Sequence, residues 1–248
     1  MPEGASGPLV AELESALAYY GARARPWERQ ALVKCRAAAG DADLGARFLA
    51  GVESFVWGSG LSVPELARAC ALRAEMARSA DAPGGAVEVK SGVGGIRDAE
   101  FSVQFLQMAH GANRPELRSP GTLSALAALS AAGLIAPARA LSLKAGYEFL
   151  RRVEHCLQTM QELQLHAVPE DAGARAALAR RLGYPGSPEA ARADFEGDLQ
   201  RHTTALRGIY TELCGEGASG ADLAGRLKGL LRCVLGRICD PPAPCRER

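Results

Sequence analysis

The stretch that decides the fold is VKSGVGGIRDAEFSVQFLQMAH, residues 89–110. It opens with a glycine-rich turn at 91–95 and continues with helical periodicity from Ile96 to about His110. Glycine permits the positive φ angles and the close backbone approach that such a turn needs. Two adjacent apolar stripes, spaced by three or four residues, predict that most of the helix circumference is buried; they comprise Ile96, Ala99, Val103 and Leu106, and Phe101, Phe105 and Met108.

A polar row remains on this helix, formed by Arg97, Glu100, Gln104 and Gln107. A charge or amide that is buried without a partner costs on the order of a few kcal/mol. We therefore expect each member of the row to find a partner inside the fold.

Helical periodicity also dominates on both sides of this stretch. Aromatic residues make up only 5% of the chain, within a hydrophobic content of 48%, which favours a core of aliphatic side chains packed between helices. The prediction is an all-α helical bundle with at most a short extended piece near 86–90. Helices are expected near 9–20, 27–38, 43–56, 64–79, 96–110, 121–132, 137–165, 171–182 and 188–213, with a short amphipathic piece near 221–236.

The long helix at 137–165 carries an apolar seam typical of helix bundles, made of Leu143, Gly146, Leu150, Val153, Leu157 and Met160. Its other face is polar. We expect that face, together with Gln104, to form a structural network containing Arg151, Arg152, Glu154, His155 and Gln158.

Composition excludes several classes of protein. A net charge of +1 argues against broad nucleic-acid binding, which needs clustered cations. No run of eighteen apolar residues and no secretory leader is visible, so we expect no membrane contact. The seven cysteines lack CxxC pairing, which indicates reduced thiols and a cytoplasmic protein. The histidines have no cysteine or acidic companion at ligand spacing, so we expect no metal site.

Three motifs carry a resemblance to a known family. They are the segment 89–104, the run YEFLRRVEHCLQ at 147–158 with QLHAVPE at 164–170, and Tyr19–Tyr20 with WERQALVKCR at 27–36. Together they resemble glutamine synthetase adenylyltransferases, whose helical domain is related to that of PII uridylyltransferases. The residues in these motifs are more similar to those of the amino-terminal half of such enzymes, which removes adenylyl groups by phosphorolysis.

The resemblance implies a domain organisation. Residues 1–82 would be the helical end of a nucleotidyltransferase domain, 83–214 the helical-bundle domain, and 215–248 a divergent, partly disordered tail. In this family a small palm domain uses acidic residues to bind Mg²⁺ and ATP, and this chain aligns after the last of those residues. We therefore expect no catalytic residue and no bound cofactor here, although the intact family enzyme uses ATP and Mg²⁺.

Two groups of residues are candidates for contacts with substrate or with the catalytic cleft. The first is the turn with Lys90, Gly92, Gly94, Gly95 and Arg97, which is either an anion site built from free N–H groups or a close-packed turn. Arg97 with Glu100 either organises the contact with the palm domain or forms an i,i+3 pair inside the bundle. The second, by resemblance, would line the nucleotide-facing side of the cleft and comprises Trp27, Glu28, Lys34 and Arg36.

Two functions follow as expectations. The chain is a fragment of a glutamine synthetase adenylyltransferase or deadenylylase, inactive alone because the metal-binding carboxylates are absent. The alternative is a non-catalytic helical module that binds glutamine synthetase, a PII protein or a separate catalytic subunit.

Overall fold

The structure, a computed structural model, describes residues 10–80, 87–161 and 166–214 and the single positions 7 and 225. Within these residues the chain forms α-helices and no strand, so the predicted all-α class is confirmed. The helices are α1 (Leu13–Ala22), α2 (Pro26–Leu32), α3 (Ala42–Trp57), α4 (Val63–Ser79), α5 (Ile96–His110), α6 (Thr122–Ala131), α7 (Pro137–Gln161), α8 (Ala172–Arg181) and α9 (Pro188–Cys214), with a 3₁₀ turn at Pro115–Leu117.

Local sequence explains where several helices begin. The carboxylate of Asp41 accepts a hydrogen bond from the amide of Leu44 at 2.9 Å and caps α3. Ser62 and Glu65 form a capping box at the start of α4, where Pro64 occupies the first turn. These start signals lie within one residue of the predicted boundaries of α3 and α4.

Helix α2 is shorter than predicted. It ends at Leu32 instead of near residue 38, and the chain tightens into i→i+3 hydrogen bonds at residues 33–35. In this turn the Lys34 ammonium donates to Glu100 at 2.8 Å and to Thr122 at 3.2 Å. Tertiary contacts thus override helical propensity here. Apart from the single position 225, the predicted piece at 221–236 and the tail lie outside the described residues, as do residues 162–165 of the predicted long helix.

Two hydrophobic clusters build the interior. One is formed by residues of α5 to α9 and includes the predicted seam of α7, with Leu143, Leu150, Val153 and Leu157 buried. The other joins α1 to α4 with Phe101, Phe105 and Met108 of α5 and with the carboxyl end of α9. Helix α5 belongs to both clusters, and each of its residues except Arg97 is buried. The prediction of a helix buried on most sides is confirmed.

The expected short extended piece is present as an isolated antiparallel bridge between Glu88 and Ala167. The Val89 amide donates to the His166 carbonyl at 2.8 Å, and the Val168 amide donates to the Val87 carbonyl at 2.9 Å. The bridge holds the segment before α5 against the segment before α8. It therefore fixes the position of the glycine turn.

The expectation that the cysteines are all unpaired thiols is wrong. Cys70 of α4 and Cys214 at the end of α9 form a disulfide, while Cys35 and Cys156 are free. The two partners are 144 residues apart, so no local spacing could reveal the pair.

None of the described helices combines the length and the apolar character that a bilayer span requires.

Candidate functional site

The backbone amides of the glycine turn before α5 donate hydrogen bonds to acceptors close by in the chain. Glu88 accepts from the amides of Lys90 and Ser91, and Gly95, Ile96 and Arg97 donate to carbonyls of the same turn. The Gly94 amide donates to the Asp98 carboxylate at 2.7 Å. These bonds favour the alternative of a close-packed turn over an anion site.

A buried ion cluster that the sequence did not predict lies beneath this turn. Arg73 of α4 is 1% exposed and Asp98 is fully buried, and the Arg73 Nε atom lies 2.7 Å from the carboxylate. Arg73 also donates to the carbonyls of Ser91 and Gly92 at 2.9 and 2.7 Å. Arg207 of α9 approaches the same carboxylate at 3.6 Å. This Arg73–Asp98–Arg207 cluster joins α4, the turn, α5 and α9.

Burial raises the pKa of Asp98, and the guanidinium of Arg73 opposes that rise. A buried charge without a partner would be costly, so the carboxylate depends on the two arginines. One sequence signal was available: Arg73 falls on the buried stripe of α4 with Leu66 and Ala77. A cation on an apolar stripe indicates a buried ion pair.

The polar row of α5 finds partners, as predicted. Glu100 is held by Arg97 at 3.1 Å and by Lys34 at 2.8 Å. Gln104 accepts from Gln30 at 2.8 Å, not from Arg97. The Gln107 amide donates to carbonyls of the segment that precedes α6, at Leu117 and Ser119. Lys34 and Glu100 thus tie the turn after α2 to α5, and Gln30 and Gln104 tie α2 itself to α5.

The four candidates from the α2 region do not share one surface. Glu28 is buried, where it accepts from the Tyr19 hydroxyl at 3.0 Å and from the Arg25 amide at 2.8 Å, so its role is structural. Arg36 is exposed beyond the end of α2. Trp27 is 46% exposed, which is unusual for so large an apolar side chain.

Trp27 lies at the edge of a cavity of about 370 Å³ between α2 and α4, floored by Met108 of α5. The cavity is largely apolar, with charged groups at its rim. Its lining is Arg25, Pro26, Trp27, Gln30, Leu61, Glu65, Arg68, Ala69, Leu72 and Met108. An apolar pocket beside an exposed tryptophan, with a polar rim, has the composition of a protein-docking site. We call it the Trp27 pocket.

The polar groups predicted on α7 do not form one network. Glu154 is buried and is approached by Arg151 at 2.6 Å, by His166 at 3.3 Å and by Lys90 at 3.6 Å. Arg152 instead donates to the Leu182 carbonyl at 3.1 Å. His155 is exposed and Gln158 is half-buried. Gln104 lies on α5, where it accepts a hydrogen bond from Gln30.

A wider groove of about 850 Å³ lies where α7 faces α9 and the α8–α9 connection. Phe149 and His202 stack there with ring centroids 4.6 Å apart. The Tyr184 hydroxyl donates to Asp198 at 2.7 Å, and this bond holds the pKa of Asp198 below its ordinary value. Tyr184, Asp198 and His202 are thus engaged with neighbours inside the groove, so the geometry favours a structural role for these three side chains.

Glu65 at the rim of the Trp27 pocket supports a prediction about pH. Burial would raise its pKa, but hydrogen bonds from Ser62 and Arg29 outweigh that effect, so the pKa lies below the ordinary value of 4.5. A depressed carboxylate pKa stabilises the fold above the unfolded value and loses that contribution as the pH falls through the folded value. We expect the melting temperature to fall less between about pH 6 and pH 3 in Glu65→Gln than in the parent chain.

The control is Glu75→Gln, an exposed carboxylate on the same helix. It should leave the pH dependence of melting unchanged. Parallel melting curves for Glu65→Gln and the parent chain across this range would contradict the role assigned to Glu65.

Two family models match the chain. The model described as GlnD PII-uridylyltransferase matches residues 71–214, and the model described as glutamate-ammonia ligase adenylyltransferase matches residues 1–51. The first match covers more than half of the chain and includes the glycine turn, the Arg73–Asp98–Arg207 cluster and helices α5 to α9. The second covers α1 and α2 and extends into α3.

Curated relatives agree with these matches. The chain is 39% identical over 212 residues to a bifunctional glutamine synthetase adenylyltransferase/adenylyl-removing enzyme of Streptomyces avermitilis, covering 86% of this chain and 21% of that protein. Enzymes of the same name from Bradyrhizobium diazoefficiens and Mycobacterium leprae are 40% identical over 215 residues and 44% identical over 170 residues. These alignments cover 86% and 68% of this chain, and 21% and 17% of the relatives. The chain thus spans about a fifth of the length of such relatives.

Proposed function

Because this chain belongs to the glutamine synthetase adenylyltransferase family, with a helical domain of the PII-uridylyltransferase type, we propose that it is a non-catalytic helical part of such an enzyme. It supports adenylyl transfer to glutamine synthetase, or adenylyl removal from it, and a separate catalytic part supplies the metal-binding acids. The motifs resemble the adenylyl-removing half, so removal is the reaction that we assign first.

The observation that carries this proposal is how the buried carboxylates are used. Glu28, Asp98, Glu100 and Glu154 each accept from cations, a hydroxyl or backbone amides of the same fold. A Mg²⁺ site needs oxygen ligands that are free to coordinate the ion. These four carboxylates do not fit such a site.

The Trp27 pocket supports the second element of the proposal, which is docking. Trp27 combines a large exposed apolar surface with an adjacent cavity, and tryptophan is over-represented among the residues that dominate interface energetics. The pocket is assigned to contact with the catalytic part of the enzyme. Lys34 and Glu100 link the turn after α2 to α5, so the surface that carries Trp27 is fixed to the core of the bundle.

The test combines an activity assay with a binding assay. The purified chain, with Mg²⁺, should neither adenylylate glutamine synthetase from ATP nor release its adenylyl groups in the presence of phosphate. The palm-containing part of a relative, supplied as a separate polypeptide, should bind the chain. Trp27→Ala should weaken that binding roughly 30-fold, the effect expected for an interface tryptophan.

Leu141→Ala is the matched control, because Leu141 is 67% exposed on α7 and lies outside the pocket. It should leave binding unchanged. Turnover by the chain alone above a no-protein control would contradict the non-catalytic assignment. Equal affinity of the Trp27→Ala variant and the parent chain would contradict the docking assignment.

The second candidate is a stand-alone module that binds glutamine synthetase or a PII protein without a catalytic partner. The exposed Trp27 pocket favours it as well, since docking requires no chemistry. Tight binding of glutamine synthetase or PII to the chain alone, lost in Trp27→Ala, together with no binding of the palm-containing part, would select this candidate.

A further inference from the structure

We propose that Cys70 and Cys214 form a reversible oxidation site that locks α4 to the end of α9. Its substrate is a low-molecular-weight disulfide such as glutathione disulfide. The two cysteines come from distant helices and are paired, and the surrounding side chains hold both helices in place.

The two sulfur atoms are held together by contacts that do not involve sulfur. Arg73, three residues after Cys70, and Arg207, seven residues before Cys214, both bind the Asp98 carboxylate. This cluster fixes α4 and α9 against the turn before α5. The thiols of the reduced chain therefore remain adjacent, and closing the bond requires no rearrangement of the helices.

Burial differs between the two cysteines in a way that suits stepwise exchange. Cys214 is 1% exposed within the hydrophobic cluster that also contains Tyr210 and Phe105, whereas Cys70 is only partly buried. A small disulfide can therefore reach Cys70 first. Cys214 then acts as the resolving thiol from inside the fold, a common arrangement for redox-active pairs.

The chemistry is thiol–disulfide exchange. The Cys70 thiolate attacks one sulfur of glutathione disulfide, forming a mixed disulfide and releasing one glutathione thiolate. Cys214 loses its proton to solvent and attacks the Cys70 sulfur, which releases the second glutathione. The protein loses two hydrogen atoms, and their two electrons reduce one glutathione disulfide to two glutathione thiols. A dithiol reductant reverses both steps.

The link also affects the Trp27 pocket. Arg68, Ala69 and Leu72 of α4 line that pocket and flank Cys70 in sequence. Oxidation fixes this wall of the pocket to α9, and reduction leaves it held by non-covalent contacts alone.

The experiment uses the full chain, incubated with either glutathione disulfide or dithiothreitol and then alkylated. After oxidation, peptide mapping should recover Cys70 joined to Cys214, with loss of two hydrogen atoms from the protein. The oxidised chain should melt roughly 5 to 15 °C above the reduced chain, because a cross-link over a long loop restricts the unfolded state. Cys70→Ser should abolish this difference in melting temperature.

The double variant Cys35→Ser/Cys156→Ser is the matched control and should keep the full difference, since both of these cysteines are free in the structure. Recovery of both Cys70 and Cys214 as alkylated peptides after oxidation would overturn the proposal. So would a cross-link from Cys70 to Cys233, Cys239 or Cys245 in place of Cys214.

Discussion

Replacing Arg73 by alanine is expected to lower the free energy of unfolding by about 3–5 kcal/mol. The substitution leaves the Asp98 carboxylate buried with the more distant Arg207, at 3.6 Å, as its one cation among the residues that the structure describes. It also removes the donors to the carbonyls of Ser91 and Gly92. The measurement is urea unfolding followed by helical circular dichroism.

The control for this variant is Arg47→Ala, since Arg47 and its partner Glu14 are both exposed. Exposed pairs contribute about 0–1 kcal/mol, so this variant should unfold close to the parent chain. The double variant Arg73→Met/Asp98→Leu removes both charges and should recover much of the lost stability. Equal midpoints for Arg73→Ala and Arg47→Ala would refute the buried cluster.

Gly94→Ala is expected to be destabilising by roughly 2–5 kcal/mol, for two reasons that add. Gly94 has φ +70°, a conformation that residues with a Cβ rarely adopt. A Cβ there would also overlap the Thr203 carbonyl of α9, lying 2.7 Å from its carbon and 2.9 Å from the Thr203 Cα. That contact is with the backbone of a long helix, which cannot rotate away as a side chain can.

Gly208→Ala is the matched control, because Gly208 lies on the same helix α9 and an added Cβ meets nothing within 4 Å. Alanine also has the higher helix propensity, so this variant should be neutral or up to about 1 kcal/mol more stable. Differential scanning calorimetry of both variants tests the prediction. A Gly94→Ala chain that melts at the parent temperature would show that the turn does not pack against α9 as described.

Much of the fold could be predicted from sequence because local signals determine it. The periodicity of 96–110 gave the bounds of α5, and Ser62 and Asp41 marked the starts of α4 and α3. Buried polar groups need partners, and this requirement correctly predicted that Glu100, Gln104 and Gln107 are each bonded within the fold. The three sequence motifs identified the family.

The identity of the partners could not be predicted, because contacts between distant segments leave no periodic trace. Lys34 reaches Glu100 across 66 residues, and Gln30 reaches Gln104 across 74. The sequence left the glycine turn open between an anion site and a close-packed turn for the same reason, since the Gly94 amide finds its acceptor in Asp98 through the folded geometry. Whether Trp27 contacts a catalytic domain stays a prediction.

The sharing of α5 between both hydrophobic clusters has a consequence for cooperativity. Phe101, Phe105 and Met108 belong to the cluster of the first four helices, while Ile96, Val103 and Leu106 belong to the other. Unfolding of α5 therefore removes packing from both clusters at once, and we expect the segments before and after residue 82 to unfold as one cooperative unit. A shorter polypeptide that began at residue 83 would leave the phenylalanine side of α5 in water, where such surfaces drive aggregation.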